Sequence, residues 1–170
     1  MPELRTTWRE PARALPLRWG NYGLRLLAGI ALIFIGGALI QFTSAYSLVV
    51  LPVGLFAHVV GWCIIPGIGW RRVLGAAVSA VTMILLLNGA PGTVFLVLPF
   101  ACWLLIRQRP LLSFSTLVVP LIASYLLAQV FPDYGWGVIV LSLAGAVLVG
   151  AAWLARSLAA MSGKSSAIAR

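Results

Sequence analysis

Few residues in this chain could do chemistry, and their spacing decides most questions about catalysis. Its acids, metal ligands and thiols are Glu3, Glu10, Asp133, His58, Cys63 and Cys102, spread over 170 residues. Paired-carboxylate catalysis needs two acids at one site; Glu3 and Glu10 sit in a basic N-terminal stretch, and Asp133 is far along the chain in a turn. A metal centre needs three or four converging ligands. His58 and Cys63 are five residues apart, which on a helix turns them about 140° from a shared face. Ser79 and Ser113 lack the Gly-x-Ser-Gly-type context of an intramembrane serine protease. The two cysteines form no Cys-x-x-Cys pair. Pro66-Gly67-Ile68-Gly69 lacks the Gly, Lys and Ser/Thr that complete a phosphate loop. The sequence therefore predicts no catalytic residue, no metal ligand set and no cofactor.

Four polar side chains inside apolar stretches remain as candidates to line a solute path: His58, Gln41, Asn88 and Gln129. For His58 the plainer expectation is a packing role, its ring bonded to a backbone carbonyl. Proton-coupled transport draws on a carboxylate or a histidine–acid relay within the bilayer, and the apolar stretches contain no acid.

The elements that must position these groups are dictated by composition. Hydrophobic residues make up 62% of the chain and charged residues 9%, with a mean hydropathy of +1.05. Soluble domains carry about 45–50% apolar and about 25% charged residues, so soluble and disordered chains are excluded. Six apolar segments can be drawn, at 24–41, 46–66, 73–88, 93–106, 111–131 and 136–155. The expected fold is all-α: a polytopic membrane protein whose six spans form three consecutive hairpins, with both termini cytoplasmic. The third and fourth segments are short for a bilayer crossing, which needs about 20 residues. One fused helix over 73–106 is the competing reading, but Asn88-Gly89-Ala90-Pro91-Gly92 is a turn signal. The expected divisions are a basic interfacial arm over 1–23, the six-helix domain over 24–156 and a tail over 157–170.

Charge position supports that topology. The chain has 12 Lys and Arg against 3 Asp and Glu. The basic residues are Arg5, Arg9, Arg13, Arg18 and Arg25 at the start, Arg71 with Arg72, Arg107 with Arg109, and Arg156, Lys164 and Arg170 at the end. With the N-terminus inside, every one falls on the cytoplasmic side and the external turns hold only Asp133, as the positive-inside rule requires. These arginines are read as topology and lipid-headgroup residues rather than as a nucleic-acid surface. The arm is expected to lie on anionic inner-leaflet lipids. The first apolar run is as long as a full span, so it reads as a helix rather than a signal peptide. Trp19, Tyr22, Trp62, Trp70, Trp103 and Trp153 are expected as anchors at the inner interface, and Tyr46, Tyr134 and Trp136 at the outer one. Eleven of the twelve basic residues are Arg, a bias expected of a G+C-rich bacterial genome, and the expected location is a bacterial cytoplasmic membrane.

Pro52, Pro99 and Pro120 lie inside the spans and are expected to kink them. Gly29, Gly36, Gly75, Ser79, Ala146 and Gly150 mark faces where helices can approach closely, whether within the chain or against a partner. Shifting the chain by 47 residues aligns Arg25 with Arg72, Gln41 with Asn88 and Val50-Leu51-Pro52 with Val97-Leu98-Pro99. A duplicated hairpin would explain that match. The expected function is a non-catalytic membrane subunit or partner in a transport or cell-envelope assembly complex. A small-solute-binding transporter component with a cavity near His58 comes next, and a membrane-embedded enzyme third. Other membrane proteins, or self-association, and the lipid bilayer are the expected partners.

Overall fold

The computed structural model describes residues 11–14, 20–44 and 46–168, with side chains described for all of these except Tyr134 and 163–168. Arg5, Arg9, Arg18, Trp19 and Arg170 lie outside the described residues. The described chain is all-helical, 86% helix with no strand. Its α-helices are α1 Tyr22–Gln41, α2 Val50–Ile64, α3 Gly69–Leu85, α4 Val97–Ile106, α5 Val118–Val130 and α6 Gly137–Ile168. Helix α1 packs on α2, α2 on α3, α3 on α4 and α5 on α6, while α4 meets the 3₁₀ helix Leu111–Leu117 that precedes α5. The expected turn at 88–92 is present, with Gly89 at φ 80°, a left-handed backbone that glycine adopts without a Cβ penalty. Helices α3 and α4 are thus separate, and the fused alternative is excluded.

Four rods are long and apolar enough to cross a membrane: Tyr22–Gln41, Gly69–Asn88, Leu111–Val130 and Gly137–Ser162. Val50–Ile64 and Ala90–Ile106 are shorter apolar helices. The rod Ala90–Ile106 gains reach from its winding, because Ala90–Leu96 is a 3₁₀ helix. A 3₁₀ residue rises about 2.0 Å against about 1.5 Å for an α residue, so this rod reaches roughly 29 Å. Helix α2 reaches roughly 22 Å by the same arithmetic.

The prolines explain where the winding changes. Pro52, Pro99 and Pro120 are each the third residue of an α-helix, in α2, α4 and α5 respectively. In the first turn of an α-helix the missing N–H breaks no established α-helical ladder. Ahead of Pro99 the chain runs as 3₁₀, with Val97 N–H donating to Val94 O. Ahead of Pro120 the 3₁₀ helix Leu111–Leu117 plays the same part.

Glycines bring α1 and α2 together. A Cβ on Gly29 would lie 2.9 Å from Gly61 O, and one on Gly54 would lie 2.9 Å from Gly36 O. The two contacts are seven residues apart on both helices, so the pair is in antiparallel register with backbone touching backbone. Gly75 of α3 faces the Trp62 ring, where a Cβ would come within 2.9 Å. Trp62 is 3% exposed; it is a core residue, not the interface anchor its position suggested. Buried Ile65, Ala76 and Ile106 pack beside it.

Helix α6 buries Val140, Ala144, Ala151, Ala155 and Ala159. Ala146 and Gly150 lie on its exposed side, and a Cβ on Gly150 would meet nothing within 4 Å. The helix continues to Ile168, so residues 157–168 are helical and prolong the last rod.

The 47-residue shift also relates the elements. Helices α1 and α3 begin at Tyr22 and Gly69, and α2 and α4 at Val50 and Val97. The rods Tyr22–Gln41 and Gly69–Asn88 coincide at both ends under that shift. The third hairpin departs from it: α5 and α6 begin at Val118 and Gly137 instead of 116 and 144.

Candidate functional site

Helix α2 carries His58 into the contact between α1 and α3, where it is 1% exposed. Its Nδ1 lies 2.9 Å from Ile33 O, its Nε2 lies 2.7 Å from Ser79 Oγ, and Trp62 Nε1 donates to the same Nε2 at 3.3 Å. A carbonyl only accepts and an indole N–H only donates. Nδ1 therefore carries the proton and Nε2 accepts, which makes the ring neutral and directs the Ser79 hydroxyl proton toward it. Every ring nitrogen is satisfied by a partner from another helix or from one turn away. Chemically this is a base beside a hydroxyl. The base is already shared between two donors, and Ser79 is itself 1% exposed.

The remaining polar side chains in the rods bond mostly to nearby carbonyls. Thr82 donates to Val78 O at 2.9 Å, Ser124 to Pro120 O at 2.7 Å and Thr93 to Ala90 O at 2.7 Å. Ser113 instead reaches across to α6, donating to Ala155 O at 2.9 Å.

At one end of the bundle the arginines gather. Arg25 Nε donates to Ile64 O at 3.2 Å, Arg72 Nη1 to Cys63 O at 2.6 Å and Arg71 Nη1 to Leu105 O at 2.8 Å. Arg71 and Arg72 occupy the first turn of α3, where the helix dipole disfavours a cation. The arrangement reverses that sign, because both reach the negative C-terminal ends of antiparallel neighbours, α2 and α4. Arg107, 7% exposed, donates to Tyr22 Oη. Its guanidinium lies 5.5 Å from the Tyr22 ring centroid and 5.3 Å from that of Trp103. Arg13 sits 5.3 Å from the same Tyr22 ring. Arg109 follows in the connection to the 3₁₀ helix Leu111–Leu117 at this end. Asp133 lies at the opposite end, between α5 and α6.

The four candidate solute-lining residues are not brought around one cavity. Gln41 Nε2 donates to Met83 O at 2.9 Å and Asn88 Nδ2 to Leu85 O at 3.1 Å. These amides, related by the 47-residue shift, both close the far end of α3. Gln129 is exposed on α5, and His58 is enclosed as described. A narrow crevice lies elsewhere, between Leu96, Pro120, Ser124 and Ala144. The His58–Ser79 bond and the role of Trp62 were missed in the sequence. The available signal was the spacing of His58 and Trp62, which places both on one helix face. Among the described residues no group of three or more His, Cys, Asp or Glu gathers as a metal site. Comparison with protein-family models, curated proteins and solved structures gives no match.

Proposed function

We propose that the chain is a non-catalytic, six-span protein of a bacterial cytoplasmic membrane, serving as a membrane subunit or partner in a transport or cell-envelope assembly complex. In this reading the two shorter apolar helices cross with the four long ones, and both termini are cytoplasmic. The arm over 1–23 rests on anionic inner-leaflet lipids.

The observation that carries the reading is how the bundle uses its polar groups. His58, Ser79, Thr82, Thr93, Ser113 and Ser124 all bond within the chain. The outward surface is apolar, with Leu27 67%, Phe56 72% and Trp153 74% exposed. Such a surface belongs against acyl chains or other membrane helices. The exposed side of α6, with Ala146 and Gly150, suits the close approach of a partner helix.

Affinity purification from native membranes in mild detergent tests this directly. The expected result is a second membrane protein recovered in fixed proportion. Recovery of this chain alone, under conditions that keep known membrane complexes intact, contradicts it.

A further inference from the structure

We propose that Pro11–Ala14 is a strap that closes on Tyr22 at the basic end of the bundle and is opened by an anionic lipid surface competing for Arg13. The proposal rests on the membrane reading, in which the arm meets anionic inner-leaflet lipids, and adds to it a closed state held by the protein itself.

The closed state is the one in the structure. Pro11–Ala14 forms a short 3₁₀ helix, and its Ala12 is fully buried. The Arg13 guanidinium lies 5.3 Å from the centroid of the Tyr22 ring. The bundle holds that ring from another direction in the sequence. Tyr22 Oη accepts a hydrogen bond from Arg107 Nη1. The Arg107 guanidinium lies 5.5 Å from the Tyr22 ring centroid and 5.3 Å from that of Trp103. Helix α1 begins at Tyr22 and α4 ends at Ile106, so the Tyr22–Arg107 contact bridges the two helix ends. Arg13 is the piece that the arm adds to this bridge.

The helix start is built so that the arm can leave it intact. Gly20 takes φ 62°, a left-handed conformation that glycine adopts freely, and the chain turns there before entering α1. Asn21 then caps the helix with its own side chain, Oδ1 accepting from Leu24 N–H at 2.7 Å. The cap lies on the helix side of Gly20, so the first turn keeps it when the strap lifts.

The contact is also weak enough to be opened. Arg13 and Ala14 are exposed. A cation over an exposed ring gains about as much as a cation beside an anionic bilayer. Arg5, Arg9 and Arg18 share the arm with Arg13, so an anionic surface attracts all four together. A zwitterionic surface offers no such pull, and the strap stays closed against it.

The test uses the full chain with Cys63→Ser and Cys102→Ala, spin-labelled at Ala14→Cys and Ser157→Cys, two exposed positions on the strap and on α6. It is reconstituted in bilayers of phosphatidylcholine alone or mixed with phosphatidylglycerol, and the label-to-label distance is read by pulsed electron resonance. Phosphatidylcholine should give one narrow distance. Phosphatidylglycerol should add a second population and raise it roughly fivefold or more. Tyr22→Leu should open the strap in phosphatidylcholine, whereas Tyr22→Phe, which keeps the ring, should stay mostly closed. If Tyr22→Leu does not fold, Arg13→Gln decides, because its exposed side chain can be lost without unfolding the bundle; it too should open the strap in phosphatidylcholine. A narrow distance that survives Tyr22→Leu or Arg13→Gln overturns the latch. The same distances in both lipids overturn the opening by anionic surface. A chain that fails to enter bilayers would instead refute the membrane reading itself.

Discussion

Arg25 and Arg72, forty-seven residues apart in the sequence, meet at the same helix end and bond neighbouring carbonyls, Ile64 O and Cys63 O. They occupy equivalent positions in the two hairpins that the 47-residue shift relates. Both lie near the start of a rod and both cap the helix returning from the far end. Gln41 and Asn88 form the matching pair at the other end, each donating to a carbonyl of α3. At each end the pair related by the shift bonds carbonyls of a single helix, Arg25 and Arg72 those of α2, and Gln41 and Asn88 those of α3.

Removing one capping arginine should loosen that helix end. R72Q is expected to lower stability by about 1–2 kcal/mol, the lower part of the range for hydrogen bonds to charged groups, because the side chain is partly exposed. R72K should recover part of it. Thermal unfolding in detergent provides the measurement.

The glycine contacts should tolerate no added carbon. Gly36→Ala places a Cβ 2.6 Å from Gly54 O, and a backbone neighbour cannot rotate aside. The expected cost is about 1–3 kcal/mol or more. Gly150→Ala, facing open space, should be neutral or stabilising by up to about 1 kcal/mol through helix propensity alone. Comparable losses at both positions would show that backbone contact is not what holds α1 to α2.

The histidine should report its tautomer. Nitrogen chemical shifts of His58 at neutral pH are expected to show a proton on Nδ1 and none on Nε2. Ser79→Ala should leave that tautomer in place, because Trp62 still donates to Nε2, and should cost about 1 kcal/mol. A proton found on Nε2 would contradict the Ile33 and Trp62 bonds.

Much of the fold was legible because it depends on local pattern. The turn at Gly89 needed a residue free to take positive φ, and the apolar runs needed no tertiary information to be recognised. The prolines were harder. Pro99 is seen in sequence only as a residue within an apolar run, and its place in the first turn of α4 depends on where the 3₁₀ winding of 90–96 gives way. Small residues were ambiguous for another reason. Gly36 and Gly150 look alike in sequence, and only packing shows that one is pressed against α2 while the other faces outward. The His58 cluster combines groups from three helices, and the sequence could place only the His58–Trp62 pair on a common face.

Six crossings with every basic residue on one side can be tested by two-sided cysteine labelling. With Cys63 and Cys102 replaced, single cysteines at Arg109 and at Asp133 are exposed to a membrane-impermeant reagent, first in intact cells and then in inverted vesicles. The position at 133 should react only from outside and that at 109 only from the cytoplasm. Labelling of position 109 in intact cells would contradict the six-span arrangement.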